Sequence, residues 1–252
     1  KIIVEKGEGI YLTDKNGSVY MDAMSSLWNV NVGHGREELA EAAAEQMKKL
    51  AFSSAFSTFS HEPAIKLAEK IASLAPKGLN AVFFTSGGSE SNDTAFKLVR
   101  HYWRIQDQPN RRKIISLKRG YHGVAAASTS ATGIPEFWNM AGQMMTDFHH
   151  ADTPYENGTD KAIASLRQLI EAQGPETIAA FIAEPVQGAG GVLIPPYDFF
   201  KEVRNVCDEY GILLIADEVI TGFGRTGKMF GVENWGVTPD LMSFAKGVTS
   251  GY

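Results

Sequence analysis

A mostly parallel α/β sheet with flanking helices is the fold this sequence predicts, and three observations predict it. Short apolar runs of strand length alternate with longer stretches of helical periodicity. The run Ile212 to Ala216 is apolar at every position, as in a strand buried on both faces. Polar and glycine-rich clusters follow the runs at their C-terminal ends, where open α/β sheets bind their ligands. The 252 residues, 44% hydrophobic and 21% charged, suffice for one large domain of this kind or two modest ones.

Residues 9–22 read as a β-hairpin, because Ile10, Leu12, Val19 and Met21 alternate around the turn signal Asn16-Gly17. The loop 24–35 carries Trp28 among polar residues and glycines, either lining a pocket or burying its ring under the hairpin, and His34 is a loop histidine. Residues 36–50, rich in alanine and glutamate, form a helix. Phe52, Phe56 and Phe59 punctuate a serine-rich stretch and either face a partner or pocket or, at helical spacing, belong to the core. A second helix, 62–75, has Pro63 near its start and Ile65, Leu67, Ala68, Ile71 and Leu74 mostly on one face.

Ala81 to Phe84 reads as a strand running into Thr85-Ser86-Gly87-Gly88-Ser89-Glu90-Ser91-Asn92-Asp93 and a helix to about Arg104. A glycine turn at a helix N-terminus is a natural phosphate seat, and Ser89 adds a hydroxyl; an ordinary turn with a serine cap explains the stretch equally well. It is not a P-loop, since no Gly-Lys-Ser/Thr follows. The strand 113–117 leads to Gly120-Tyr121-His122-Gly123, where Tyr121 can stack on a flat heterocycle. Residues 133–158 read as irregular; the adjacent His149 and His150 do not present one face and no carboxylate joins them, so no metal site is expected. A helix over 159–172 precedes the strand 178–183, which ends in Glu184-Pro185-Val186-Gln187-Gly188-Ala189-Gly190-Gly191. That glycine cluster does not open a helix, which argues against a dinucleotide fingerprint. The helix 197–209 feeds the strand that ends in Asp217 and Glu218, and the last strand, Leu241 to Phe244, leads to Ala245-Lys246-Gly247.

A net charge of −5 gives no reason to expect nucleic acid or an anionic membrane as partner. The single cysteine, Cys207, excludes an internal disulfide and reads as a core thiol on an amphipathic helix. No apolar run has transmembrane length and no signal peptide is visible, so the cytoplasm is the expected compartment. The chain starts inside what reads as a strand and stops just after the lysine loop, so it is expected to belong to a longer protein.

The acid at the end of one strand and the lysine just past another, from 217 to 246, are 29 residues apart. Converging at a sheet edge, such a pair suits pyridoxal 5'-phosphate, the lysine forming a Schiff base and the acid pairing with the pyridinium nitrogen. With Ser86 to Asp93, Tyr121-His122-Gly123, Glu184 to Gly188, Asp217-Glu218-Val219-Ile220-Thr221-Gly222-Phe223-Gly224-Arg225-Thr226-Gly227 and Ala245-Lys246-Gly247 in this order, the chain resembles the class III (ω-type) aminotransferases of pyridoxal-phosphate fold type I along nearly its whole length. Gly88 and Ser91 are mild departures from the family's usual phosphate-loop pattern.

The resemblance implies a role for each matching residue. Lys246 carries the cofactor and with Asp217 makes up the catalytic pair. Gly88 and Ser89 hold the phosphate; Val219 and Tyr121 pack on the two ring faces, with His122 and Glu184 beside the cofactor. The Leu27-to-Gly33 loop is most similar to that of amine:pyruvate and taurine-type members, which implies that Trp28, Tyr121 and Phe56 meet the substrate, Phe56 from the other subunit. The implied reaction moves an amino group from an amine or ω-amino acid to a keto acid such as pyruvate, in a homodimer with shared active sites. An aminomutase, a decarboxylating or a biotin-pathway aminotransferase, or an inactive piece of one, are the alternatives. The family's C-terminal domain, with its carboxylate-binding arginine and partner-facing threonine, has no counterpart in these residues. The expected division is an N-terminal segment, 1–50, of hairpin and helix, followed by a cofactor-binding domain, 51–252.

Overall fold

The computed structural model describes residues 1–55 and 58–252, and the chain forms two compact units, residues 1–82 with 246–252 and residues 83–245. In the first, β1 (Val4–Glu8), β2 (Tyr11–Asp14) and β3 (Val19–Met21) make an antiparallel sheet in that order. The predicted hairpin is β2–β3, with Tyr11 opposite Met21 and Thr13 opposite Val19. Its turn is set by the buried Asp14 carboxylate, which accepts hydrogen bonds from the Asn16 and Ser18 N–H groups and the Tyr20 hydroxyl, while Gly17 takes the left-handed conformation at φ 82°. The helices α1 (Glu37–Lys49) and α2 (Glu62–Leu74) follow as expected, α1 with acids in its first turn and lysines in its last. Phe52 and Phe59 are exposed; Phe56 lies outside the described residues.

The second unit holds the parallel sheet. Along the chain come α3 (Gly88–Ile105), β4 (Lys113–Leu117), α4 (Ala126–Ala131), α5 (Pro135–Ala141), β5 (Phe148–Ala151), α6 (Pro154–Gln173), β6 (Ile178–Ala183), α7 (Phe199–Tyr210), β7 (Leu213–Asp217) and β8 (Leu241–Ser243). The strands pair in the order β5-β4-β6-β7-β8, every pair parallel. Alternate residues feed two cores. Ile114, Ala180, Ile182 and Ile215 pack with Ala95, Phe96, Val99 and Trp103 of α3, and Ile115, Phe181, Ala183 and Leu214 pack with α6 and α7. Both faces are covered, which is why the central strands β6 and β7 read as apolar runs up to Asp217. Cys207 is buried among them, and burial pushes its thiol up to about 12.

Two expectations fail. Ala81 to Phe84 forms no strand and pairs with none among the described residues, and Phe83 and Phe84 stay exposed. Residues 133–158 are not irregular: they contain α5, the edge strand β5 and the start of α6. The sequence Phe-His-His-Ala hides β5 because its two central residues are polar. Burial, then the nearby His122, pushes His150 down to about 4, so it stays neutral at neutral pH, and its ring lies against Trp138. No helix among the described residues is long and apolar enough to cross a membrane.

Candidate active site

The parallel register brings the C-terminal ends of β4, β6 and β7 side by side, so the residues that follow them meet at one edge. Asp217, the last residue of β7, is 2% exposed. Its Oδ2 accepts hydrogen bonds from Asn92 Nδ2 and His122 Nδ1, both at 2.8 Å, and its Oδ1 accepts from the Val219 N–H at 3.1 Å. Three donors from three segments fix the carboxylate in a dry setting, where such bonds to an ionised acceptor are strongest.

Asn92 is the partner that sequence reasoning left without a role. It lies one turn before Ala95 and Phe96 on the buried face of α3, and a polar residue on an apolar helix face is the signal that could have found it. Its Nδ2 also donates to the His122 carbonyl, tying α3 to the turn after β4. Glu218 was also passed over. It is fully buried and accepts from the Thr221 hydroxyl and the Gly231 and Val232 N–H groups, folding the glycine-rich loop back on β7.

The N-terminus of α3 opens with extended backbone at Gly87, and the first-turn N–H groups of such a helix have no intrahelical acceptor. A Cβ added at Gly88 would sit 2.9 Å from Val219 Cγ2, so only glycine leaves this approach open. Ser89 Oγ accepts from the Val124 N–H at 3.0 Å, which leaves its own proton to donate. A Cβ at Gly123 would meet Ser89 Oγ at 2.4 Å, so the 120–124 turn lies directly on the helix start. Glu90 accepts from the Ser86 N–H, which holds its carboxyl below the usual range.

Glu184 braces the next turn. Its Oε1 accepts from the Tyr121 N–H at 2.8 Å and its Oε2 from the Gly188 N–H at 2.9 Å. Burial raises its pKa to about 7, with nearby Asp217 adding to the rise and His122 and the two N–H groups opposing it. Tyr121 is half-buried with its ring 5.3 Å from Phe137, and its hydroxyl is pushed up by burial, then by Asp217 and Glu184. Residues 188–191 form a turn closed by the Gln187–Leu193 bridge, not a helix start.

The remaining predicted residues belong to the other unit. Lys246 opens a short 3-10 turn three residues beyond Ser243, with φ at 44°, a conformation uncommon for any residue but glycine. Trp28 is half-buried and closes a run of four residues, Ser25, Ser26, Leu27 and Trp28, all with φ between 47° and 71°. This is a left-handed turn built without glycine, at roughly 1–2 kcal/mol per residue. The structure therefore brings Asp217, His122, Val219, Gly88, Ser89, Tyr121 and Glu184 to one edge of the sheet unit, and carries Lys246 and Trp28 in the other unit.

Comparison with known proteins follows this geometry. A family model described as Aminotransferase class-III matches residues 1–252. The chain is 45% identical over 260 residues to the putrescine–pyruvate aminotransferase of Pseudomonas aeruginosa, covering 99% of this chain and 57% of that protein. It superposes on the crystal structure of a transaminase from the marine bacterium Virgibacillus with a TM-score of 0.99 at 76% identity, covering all of this chain and 57% of that one. An amine transaminase from an uncultivated Pseudomonas species, solved in its PLP-bound form, matches with a TM-score of 0.95 at 42% identity over all of this chain and 60% of its own. The chain spans a little over half the length of the curated relatives it matches.

Proposed function

The chain belongs to the class-III aminotransferases, and from that premise we propose that it moves an amino group from an amine or ω-amino acid to pyruvate, with pyridoxal phosphate as cofactor. The observation that carries the reading is the triply bonded, buried carboxylate of Asp217 at the strand end. The residues fit the cofactor on two grounds. The space beside Val219 is one that a Cβ at Gly88 would fill, and the helix N-terminus with the Ser89 hydroxyl offers donors suited to a phosphate.

In this reading Gly88 and Ser89 hold the phosphate, and Val219 and Tyr121 cover the ring, with His122 and Glu184 beside them. Asp217 keeps a proton on the ring nitrogen, while His122 and Asn92 keep Asp217 oriented. Bound pyridoxal phosphate supplies an electron sink for the charge that develops at the substrate carbon. Lys246 carries the cofactor. Its Nζ, when free, would take a proton from the substrate carbon and later return one, as base and then as acid, a contribution of roughly 10²–10⁴-fold in rate. Trp28 lines the substrate side, and the reading extends to a cytoplasmic homodimer with shared active sites, in which Phe56 would contact the substrate from the other subunit.

The test is alanine formation by the full-length protein from pyruvate and a panel of diamines, ω-amino acids and aryl amines. Turnover with at least one donor, falling about a hundredfold or more in Asp217→Asn, is expected. Absence of alanine with every donor, or parental turnover in Asp217→Asn, overturns the reading.

A further inference from the structure

The left-handed turn before the Asn29–Gly35 loop has no glycine to make it easy, so something outside the turn must hold it. Asp22 does. Its Oδ1 accepts from the Ser26 N–H at 2.9 Å and its Oδ2 from the Ser26 hydroxyl at 2.8 Å, while its backbone carbonyl accepts from the Ser25 N–H. His34 Nε2 lies 2.9 Å from the same Oδ2. The ring of His34 is seated by backbone on both sides: its N–H and carbonyl both pair with Gly9, and a Cβ at Gly7 would strike the ring at 2.8 Å. These hydrogen bonds oppose, and outweigh, the effect of burial on Asp22 and hold its carboxyl below the usual range.

The segment that follows the turn is fastened to the segment that follows Lys246. The Val32 N–H donates to Ser250 Oγ, the Tyr252 hydroxyl donates to the Gly33 carbonyl and accepts from the Arg36 N–H, and a Cβ at Gly251 would sit 3.3 Å from Asn29 Nδ2. Ser250 in turn is bonded through its N–H to the Lys246 carbonyl. Within this one unit, the segment that follows Trp28 and the segment that follows Lys246 are thus joined by direct hydrogen bonds.

We propose that Asp22, seated by His34, is a positioning residue for substrate selection: it holds the left-handed turn, and the turn sets where the Trp28 ring stands as a wall limiting the bulk of the amine beside Lys246. The proposal rests on the aminotransferase reading for its substrate consequence, and on the Asp22 contacts alone for its structural part.

The experiment uses the full-length protein with 5-fluorotryptophan incorporated, the Trp28 resonance being assigned by its loss in Trp28→Phe. In Asp22→Ala the Trp28 fluorine resonance shifts or broadens while those of Trp103, Trp138 and Trp235 hold their positions; Asp22→Asn, which keeps one acceptor for Ser26, gives a smaller change. In kinetics, Asp22→Ala alters the ratio of kcat/KM for a branched or aryl amine to that for a straight-chain amine by about fivefold or more, and the alteration disappears in a Trp28→Ala background. A merely structural role lowers kcat/KM for all donors alike and persists without Trp28. An unmoved Trp28 resonance in both Asp22 variants, or an Asp22 effect that survives Trp28→Ala, overturns the proposal. If no amine is turned over by the parent while the resonance still moves in Asp22→Ala, the aminotransferase reading fails and Asp22's hold on Trp28 stands.

Discussion

Among the described residues there are two aspartate–histidine pairs of nearly equal length. Asp217 and His122 lie 2.8 Å apart with side chains 3% and 0% exposed; Asp22 and His34 lie 2.9 Å apart with side chains 8% and 20% exposed. The chemistry is shared, but the settings differ. Asp217 ends a central parallel strand, and its partners come from a helix, a turn and its own following residue. Asp22 sits in a loop and spends most of its bonds on Ser26, four residues away. The first pair is a dry charge centre that regular structure holds in place. The second imposes an irregular backbone on residues that would not adopt it unaided.

The largest expected effect breaks the buried pair. Asp217→Ala strands the buried His122 and Asn92 donors, and each buried donor left without its partner costs about 1–3 kcal/mol. Urea unfolding of the cofactor-free protein measures it, and a loss below about 1 kcal/mol would mean that the carboxylate is not held as described. Next is Glu184, the buried neighbour whose pKa is raised from 4.5 to about 7. A raised folded pKa favours the protonated form, so this contribution to stability is complete below about pH 4.5 and is lost as pH rises through 7, by at most about 3 kcal/mol. Glu184→Gln should flatten the fall of the urea midpoint between those pH values; an unchanged slope assigns it to other groups.

Gly88→Ala sharpens the account of the cradle. The added methyl meets Val219, and overpacking of this kind costs about 1–3 kcal/mol. Affinity for pyridoxal phosphate, measured by titration, should weaken about tenfold or more, whereas an unchanged affinity would remove Gly88 from the site. The smallest effect lies in the other pair: Ser26→Ala deletes one solvent-side hydrogen bond to Asp22 and should cost about 0.5–1 kcal/mol. A loss above about 2 kcal/mol in thermal or urea unfolding would show that the hydroxyl, not the carboxylate, anchors the turn.

The difference between the pairs also explains what could be read from sequence. The strands at 113–117, 178–183 and 212–217 were legible because burial on both faces demands mostly apolar residues, at every position in 178–183 and with only Lys113, Ser116 and the terminal Asp217 as exceptions in the other two. The strand-end motifs were legible because Asp217, Glu184 and Tyr121 follow those runs directly. Asn92 was not, since its role depends on helix packing that brings it to a residue 125 positions away. The left-handed turn was not either: Ser-Ser-Leu-Trp carries no glycine, and its conformation comes from Asp22 and not from local preference. Ala81 to Phe84 has the composition of a strand, but a strand exists only beside a partner.

The central claim is that Lys246 and Asp217 serve one bound cofactor, and reductive trapping tests it most directly. The full-length protein, loaded with pyridoxal phosphate, should show a visible absorbance band that borohydride abolishes, and peptide mapping should find the reduced cofactor on Lys246, with Asp217→Asn altering the position or pH dependence of the band. Labelling at another lysine, or a band indifferent to both Lys246→Ala and Asp217→Asn, would contradict the account.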